Sequence, residues 1–285
     1  MGLIGGSVAL ALKKAGFTTY IVGVGRSEKS LQEALHLGVI DSAETDISKA
    51  LDAADLVLIA APVAQTSSIL QSIKPYLNSQ TVITDAGSTK GDVLACAKSI
   101  LGEQFKQFVG GHPIAGAEKS GVSAALPDLF VDKNVVLTPT AETSADAIAS
   151  VTQFWQACGA NVSEMTAETH DGIFAAVSHL PHLLAFALVD DIAARDNSAQ
   201  LFSFAASGFR DFTRIAGSHP ELWRDISLAN KAALLSELTA YQLELSQLKQ
   251  LLEHEDGAGL QALFERASVA RNNWARDNLA NSKTK

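Results

Sequence analysis

The chain has 285 residues, of which 47% are hydrophobic, and this length and composition predict a large core divided between two domains. Its formal net charge of −9 disfavours nucleic acid as a partner, because no basic stripe is present to neutralise phosphates. Two distant cysteines, Cys96 and Cys158, together with no apolar run long enough to cross a bilayer and no signal peptide, lead us to expect a cytoplasmic protein without a membrane partner.

Helical and strand-like stretches alternate through about the first 160 residues, which predicts βαβ units and a mostly parallel, doubly wound sheet. We expect strands at 19–24, 54–60, 80–84, 105–109 and 134–137, with helices at 6–15, 30–37, 66–77, 91–101 and 144–158. Ligands bind such sheets at the carboxyl ends of the strands. The loops that follow these strands are therefore expected to meet at one ligand-binding edge.

The chain opens with glycines spaced as in the second part of a dinucleotide-binding fingerprint, at Gly2 and Gly5. Gly2 would let the backbone approach a pyrophosphate, and Gly5 would lie at the start of a helix. A complete fingerprint follows a strand and a first glycine, and neither precedes Gly2. We therefore expect the natural protein to begin upstream of Met1, with about ten more residues that form a central strand.

The turn after the strand at 19–24 bears on cofactor choice. NAD-preferring enzymes usually carry Asp or Glu here, whereas this chain has Gly25, Arg26 and Ser27. A guanidinium and a hydroxyl suit a 2′-phosphate better than they suit a ribose hydroxyl, which favours NADP. An ordinary polar turn is the alternative interpretation.

A glycine-rich stretch at 110–121 surrounds His112 and follows the apolar run 105–109. Glycines allow the backbone to approach a ligand closely, and an imidazole exchanges a proton near neutral pH. The pattern predicts a flexible, reactive loop with His112 as a candidate base. A turn-rich surface loop with a chance histidine is the alternative.

Beyond about residue 165 the strand signal ends and long helical patterns follow, which predicts a domain change near 162–165. The first helix, from about Thr166, carries a polar and aromatic stripe at i+4 spacing, and Pro181 is expected to kink it. The stripe consists of His170, Phe174, Ser178 and His182. Histidines at 179 and 182 lack a carboxylate or cysteine at metal-ligand spacing, so we expect no metal site.

A long helix is predicted from Ser218 to about His254, with a leucine seam at coiled-coil spacing. The seam consists of Leu234, Leu238, Tyr241, Leu245, Leu248 and Leu252. It predicts helix packing either within the chain or between two copies, of which we favour the dimer. The polar stretch 210–216 before this helix offers a cation for a carboxylate ligand, or is a solvated helix end.

Together these motifs resemble the prephenate dehydrogenases, or cyclohexadienyl dehydrogenases, of tyrosine biosynthesis. The resemblance spans nearly the whole chain and rests on motifs in the family's order, at 2–7, 85–90, 110–121, 170–171 with 178–182, and 211–214 with 223–225. It implies a Rossmann-like NAD(P)-binding domain at 1–163 that lacks its first strand, and a helical substrate and dimerisation domain at 164–285.

The family reaction transfers a hydride from the hydroxyl-bearing ring carbon to the nicotinamide while the ring carboxylate leaves as carbon dioxide. Prephenate then gives 4-hydroxyphenylpyruvate, and arogenate gives tyrosine. The resemblance implies that His112 accepts the hydroxyl proton with help from Ser88. It implies substrate contacts for Arg214, Ser178, His182, His170, Trp223 and the gating residue Glu118, and cofactor contacts for Gly2, Leu3, Ile4, Gly5, Arg26, Ser27, Pro62 and Gly87.

Two other functions stay open at this point. A β-hydroxyacid dehydrogenase would carry a catalytic lysine near an asparagine on the first long helix of its second domain, whereas Asn230 and Lys231 lie later in this chain. A non-catalytic dinucleotide-binding regulator would not need His112, Ser88 and Arg214 together.

Overall fold

The computed structural model describes residues 1–18, 20–117 and 119–283. The chain forms two compact units, one from Met1 to Leu234 and the other starting at Leu235. The predicted domain boundary between residues 163 and 164 is a different division and stays a prediction.

The first 164 residues alternate between helices and strands. Their order is α1 (Leu3–Ala15), β1 (Val22–Val24), α2 (Glu28–His36), β2 (Ser42–Glu44), α3 (Ile47–Leu51), β3 (Leu56–Ile59), α4 (Thr66–Ile73), β4 (Val82–Asp85), α5 (Gly91–Leu101), β5 (Phe108–Pro113), β6 (Asn134–Thr138), α6 (Ala145–Ala157) and β7 (Asn161–Glu164). Helices follow: α7 (Ala167–Phe174), a π-helical segment (Ala175–His179), α8 (Leu180–Ala193), α9 (Ser198–Ser203), α10 (Ser207–Thr213), α11 (Pro220–Ala229), α12 (Lys231–Glu253) and α13 (Gly257–Lys283).

The larger sheet has the strand order β3-β4-β5-β6-β7, and β1 pairs with β2 in a separate parallel sheet. All pairs in the larger sheet are parallel except β5 with β6, where Gly110 lies opposite Thr138. This confirms the predicted fold class, a Rossmann-like α/β domain followed by helices. The expected strand before Gly2 stays a prediction.

Helices cover both faces of the larger sheet. On one face α1 and α6 bury Leu12 and Trp155 against the strands, and on the other face α4 and α5 bury Leu70 and Val93. Such two-sided burial explains why the strands are continuous apolar runs rather than alternating ones. The polar groups of the site are consequently concentrated at the ends of the strands.

His112 lies in a strand, which corrects the prediction of a flexible loop at 110–113. The expected strand at 105–109 begins only at Phe108, because residues 102–107 form 3₁₀ turns, and it continues to Pro113. Glycine and proline argued against a strand because both weaken β pairing. Here the antiparallel ladder to β6 provides the partner that the sequence alone did not show.

The first helix of the second half begins as expected, because Thr166 accepts a hydrogen bond from the Thr169 N–H at 3.1 Å and caps α7. A π-helical segment, rather than a proline kink alone, then precedes Pro181. Its wider turn rotates the residues that follow around the helix axis. The predicted stripe is therefore divided: His170 and Phe174 contact His112, whereas His182 stacks on Trp223.

The continuous run Ala167–Ala193 has a mean hydropathy of 1.8 and the length of a membrane span, which corrects the expectation that no run is this long. The run was missed because His170, Asp171, His179 and Pro181 interrupt its sequence. Length and composition alone are weak evidence for a span, because core helices of soluble proteins have the same properties. Two of these polar side chains, those of His170 and His179, are buried within the first unit.

The predicted single helix from Ser218 to His254 is wrong. Pro220 is the first residue of α11, and its N-cap residue, His219, makes no side-chain cap. A break at Asn230 separates α11 from α12, which has 23 residues, and α13 has 27 residues. Proline at the first helical position is favourable because it lacks the N–H that would be unpaired there.

Candidate active site

A buried ion pair lies beneath the strand that carries His112. The side chain of Lys90 is fully buried and that of Asp85 is 2% exposed, and the two form a short contact. Lys90 Nζ also donates to the Gly111 carbonyl at 2.8 Å, while the Gly111 N–H donates to Asp85 Oδ1 at 3.0 Å. The pair thereby fixes the backbone of the residue before His112 to the end of β4.

Glycine is needed at 110 and 111 for close packing. A Cβ on Gly111 would lie 2.7 Å from the Asp85 carbonyl oxygen, and a Cβ on Gly110 would lie 2.5 Å from Thr138 Oγ1. Contacts this short with backbone and buried groups cannot be accommodated. The two glycines therefore let the ion pair and the neighbouring strands approach β5.

His112 is the first member of a line of three hydrogen-bonded side chains. Its Nδ1 lies 2.8 Å from Nε2 of His170, and Nδ1 of His170 lies 2.8 Å from Oδ1 of Asp171. Phe174 packs against both imidazoles, with ring centroids 4.8 Å from His112 and 4.5 Å from His170. His170 is fully buried, whereas His112 is partly exposed.

Asp171 also caps the N-terminus of α5. Its Oδ1 accepts the Lys90 N–H at 2.9 Å, and its Oδ2 accepts the Gly91 N–H at 2.8 Å. Burial alone would raise the pKa of this carboxyl, but the hydrogen bonds from His170, Gly91 and Lys90 hold it below its ordinary value. Asp171 is therefore a carboxylate at neutral pH.

His112 is neutral at neutral pH. Burial is the main cause that lowers its pKa well below the ordinary value, and the positive charge of Lys90 and the neighbouring imidazoles of His170 and His179 lower it further. A neutral, partly exposed imidazole can accept a proton. These are the properties of a general base.

His179 and Asn230 form a second buried group. The Asn230 amide donates to the Asp171 carbonyl at 2.8 Å and lies 3.1 Å from Nδ1 of His179. Burial lowers the pKa of His179 to about 4. Because the Asn230 amide nitrogen can only donate, His179 accepts through Nδ1. This group fixes the break between α11 and α12 against α7 and the π-helical segment.

His182 and Trp223 form an aromatic wall. Their rings stack with centroids 3.5 Å apart, and Nδ1 of His182 donates to the Ser178 carbonyl at 2.8 Å. Burial lowers the pKa of His182, the bond to Ser178 raises it, and the positive charge of Arg214 lowers it. Arg214 thus contributes to the electrostatic environment of this wall, and it is itself exposed.

The N-terminus of α1 fits a dinucleotide phosphate. Gly2 is its N-cap residue, and no described atom lies within 4 Å of the position of a Cβ there. The open helix end offers N–H groups and a partial positive charge to an anion. Leu3 and Ile4 point their side chains into the core, and a Cβ on Gly5 would touch Ala60 at 3.4 Å. Leu3 and Ile4 therefore offer backbone groups rather than side chains.

The other predicted cofactor residues lie in turns that follow strands. Arg26 is exposed after β1, and Ser27 caps α2 by accepting the Ser30 N–H at 3.2 Å. Pro62 is exposed after β3. Gly87 follows β4, and a Cβ there would lie 2.8 Å from Asp85 Oδ2. Gly87 is thus required by the ion pair, whether or not it contacts a cofactor.

Ser88 lies between Asp85 and Lys90 in the turn after β4, and it is partly exposed. The described hydrogen bond of the His112 ring is made to His170 rather than to Ser88. Assistance from Ser88 therefore stays a prediction.

The structure thus brings His112 together with His170, and His182 together with Trp223, Ser178 and Arg214. Glu118 lies outside the described residues. Among the described residues, no group of three or more His, Cys, Asp or Glu side chains is placed to hold a metal ion.

Sequence reasoning missed five residues that organise the site: Asp85, Lys90, Asp171, His179 and Asn230. All except Asn230 lie in the motifs at 85–90, 170–171 and 178–182, but no role was predicted for any of them. A charged pair flanking a glycine turn was a usable signal for Asp85 and Lys90. No local signal identified Asn230, because its partners are 51 and 59 residues away.

Two family models match the chain over nearly its whole length. Residues 8–164 match the model described as the nucleotide-binding domain of prephenate dehydrogenase, and residues 166–266 match the model of its dimerization domain.

Individual relatives and solved structures point the same way. The chain is 39% identical to a Bacillus subtilis prephenate dehydrogenase, and the match covers 95% of this chain and 73% of the relative. It is 35% identical to a Zymomonas mobilis cyclohexadienyl dehydrogenase, with 95% of this chain and 92% of the relative covered. The crystal structure of Aquifex aeolicus prephenate dehydrogenase with hydroxyphenyl propionate and NAD⁺ is 39% identical to this chain. The match covers 95% of this chain and 94% of that one, with a TM-score of 0.89. Synechocystis arogenate dehydrogenase, at 30% identity, covers 96% and 97% with a TM-score of 0.82.

Proposed function

The chain belongs to the prephenate dehydrogenase family, and on this premise we propose that it catalyses the NAD(P)-dependent oxidative decarboxylation of prephenate or of arogenate. The observation that carries this proposal is His112, a neutral and partly exposed imidazole at the end of a hydrogen-bonded line to Asp171. A base of this kind is what removal of the ring hydroxyl proton requires.

When bound, the nicotinamide supplies the acceptor for the hydride. His112 would accept the hydroxyl proton of the substrate while the hydride leaves the same ring carbon. The ring carboxylate would then leave as carbon dioxide, its bonding electrons would make the ring aromatic, and the resulting phenolate oxygen would take a proton back from His112. Arg214 binds a carboxylate of the substrate by charge-assisted hydrogen bonds. The His182 and Trp223 wall orients the substrate ring and keeps water from it.

The test is to assay NAD(P) reduction with prephenate, arogenate and a β-hydroxyacid in parallel. We expect turnover with one or both cyclohexadienyl substrates. His112→Asn should lower kcat by about 10² to 10⁴, the usual contribution of a general base, with little change in cofactor affinity. Arg214→Ala should raise KM by about 10- to 100-fold, as expected for loss of a charge-assisted bond.

The matched control is His254→Asn, because His254 is an exposed histidine whose ring bonds only to the nearby Gln250 carbonyl. It should leave kcat and KM unchanged. Turnover confined to the β-hydroxyacid, or cofactor binding without turnover of any substrate, would contradict the proposed function. Asn230 and Lys231 lie where α11 ends and α12 begins, not on the first long helix of the second half, which disfavours that alternative enzyme.

We also propose that NADP is used at least as well as NAD. The support is the turn after β1, where the exposed Arg26 and the hydroxyl of Ser27 offer donors to a 2′-phosphate and an acidic side chain is missing. Comparing kcat/KM for the two cofactors tests this, and Arg26→Ala should reduce the value for NADP more than the value for NAD. A large preference of the unmutated protein for NAD would contradict it.

A homodimer in the cytoplasm is the assembly and location that we propose, with a small-molecule substrate rather than nucleic acid or a membrane as partner. The family model over residues 166–266 is described as a dimerization domain. Large apolar side chains on α12 and α13 are also solvent-exposed in the single chain: Leu245, Leu252, Phe264 and Trp274. Exposed apolar groups in this number favour burial against a second copy.

A further inference from the structure

We propose that Asp171 and His170 are positioning residues that keep the proton of neutral His112 on Nδ1, so that Nε2 is the atom that accepts the substrate proton. The inference deepens the proposed function and rests on it for its catalytic meaning. The tautomer itself can be measured without substrate.

The assignment starts at Asp171, whose carboxylate oxygens can only accept hydrogen bonds. Oδ2 accepts the Gly91 N–H, and Oδ1 accepts the Lys90 N–H. The remaining contact, at 2.8 Å to Nδ1 of His170, therefore requires a hydrogen on that nitrogen. Two backbone donors from the start of α5 hold the carboxylate in place, so its orientation is fixed independently of the histidine.

A neutral His170 that carries its hydrogen on Nδ1 has a lone pair on Nε2. This nitrogen lies 2.8 Å from Nδ1 of His112, so Nδ1 of His112 must donate to it. The hydrogen of neutral His112 is then on Nδ1, and Nε2 carries the lone pair. Phe174 packs against both rings.

The same line can take up charge during the reaction. The substrate O–H bond breaks as a bond to Nε2 of His112 forms, and His112 becomes an imidazolium. Its Nδ1 proton can then pass to Nε2 of His170, which leaves a positive His170 hydrogen-bonded to the negative Asp171. The chain gains one proton from the substrate in this step and gains or loses no electrons.

The charged and titratable groups around His112 come from four elements. Asp85, at the end of β4, and Lys90, before α5, form a buried pair in which one charge offsets the other. Asp171 and His170 come from α7, and His179 from the π-helical segment accepts a bond from Asn230. Among these described groups, Asp171 is the carboxylate placed in line with the imidazoles, and it can therefore favour a positive charge on them.

The first test is ¹⁵N NMR of histidine-labelled protein in the absence of substrate, with signals assigned from single His→Gln variants. His112 should be protonated at Nδ1 and unprotonated at Nε2, the reverse of the tautomer that prevails for free histidine. Asp171→Asn should convert His112 to the Nε2-protonated form or to a mixture. An Nε2–H signal for His112 in the unmutated protein, or no change in the variant, would overturn the inference.

The second test is kinetic. Asp171→Asn should lower kcat by about 10² to 10⁴ with little change in the KM of the substrate, as for an amide that replaces the orienting carboxylate of a catalytic triad. The acid limb of the profile of kcat/KM against pH should move to lower pH, because the negative charge that favours protonated His112 is lost. A purely structural role would change stability and KM without moving this limb.

Asp41→Asn is the matched control, because Asp41 likewise accepts bonds from a backbone N–H, that of Ile21, and from a side chain, that of Lys13. Its activity and His112 tautomer should be unchanged. If Asp171→Asn does not fold, His170→Gln provides the same tautomer and pH measurements. Absence of turnover with the expected tautomer present would contradict the proposed function alone, whereas normal turnover with the other tautomer would contradict this inference alone.

Discussion

Lys90 connects three parts of the site. Its side chain bonds to Asp85 and to the Gly111 carbonyl, and its backbone N–H bonds to Asp171. A buried ion pair adds little net stability on average, because desolvation of both charges offsets their attraction. Its value here is geometric, since it ties the end of β4, the strand with His112 and the start of α5 to one point.

Removing one charge of this pair should be far more damaging than removing both. We expect Lys90→Met to lower the free energy of unfolding by about 3 to 5 kcal/mol, because Asp85 would stay buried without its partner. Adding Asp85→Asn to that variant should recover part of the loss. Urea unfolding at pH 7 measures both effects, and equal stability of the single and double variants would contradict this account.

Because the pKa of the buried His179 is lowered, we expect the stability of the protein to depend on pH. This pKa is about 4 in the folded protein, below the ordinary value of 6.5, so between these values the unfolded chain takes up the proton first. Stability should therefore fall as pH decreases from about 6.5 to about 4, by at most about 3 kcal/mol for this residue. Below about pH 4 His179 is protonated in both the folded and the unfolded state, so it causes no further change of stability with pH.

The measurement is the melting temperature against pH at one protein concentration. His179→Gln should flatten the slope between pH 6.5 and 4, although His112, whose pKa is also lowered, will leave part of it. His36→Gln is the control, since His36 is exposed on α2. An unchanged slope in the His179 variant would show that this residue is not buried in its neutral form.

At the scale of elements, the break between α11 and α12 is held by one side chain. Asn230 is 4% exposed and bonds to the Asp171 carbonyl and to His179. We expect Asn230→Ala to lower the free energy of unfolding by about 1 to 3 kcal/mol, because these buried acceptors lose their donor. Asn230→Asp should cost more, as a carboxylate cannot donate to either acceptor; a milder effect than that of alanine would argue against the assigned bonds.

The elements that sequence reasoning placed well are those with strong local signals. The helix at 91–101 was predicted at its observed bounds. The helix predicted at 144–158 was placed to within one residue at each end, and Ser144 is its N-cap rather than its first residue. Short elements without such signals were missed, namely β2, α3 and β7. Three to five residues are too few to show a hydrophobic period.

The candidate site was predictable as a set of residues but not as a network. His112, His170 and His182 were identified from their setting and family pattern, whereas the line from His112 to Asp171 spans 59 positions and depends on where β5 runs. The π-helical segment was equally hidden, because its residues have ordinary helical composition. Local propensity does not encode which distant backbone groups meet.

At the scale of the whole molecule, the apolar surface of α12 and α13 predicts assembly. Leu245 and Leu252 are 48% and 58% exposed in the single chain. We expect the protein to have the mass of two chains in light scattering, and the double substitution Leu245→Glu and Leu252→Glu to shift it toward one chain, because it places charges in an apolar interface. The matched control is Glu244→Gln with Lys249→Gln, which should not change the mass. A monomeric unmutated protein would contradict the proposed dimer.

The position of His112 within a β-ladder also has a consequence for how the protein responds to partial denaturation. A base on a mobile loop is lost when that loop frays, at denaturant concentrations far below those that melt the core. His112 instead lies opposite Val136 in the β5–β6 ladder, and the residue before it, Gly111, is hydrogen-bonded to Asp85 at the buried end of β4. Little reorganisation is then needed at the moment of proton transfer. Turnover should therefore be lost at the same urea concentration at which the α/β sheet unfolds cooperatively.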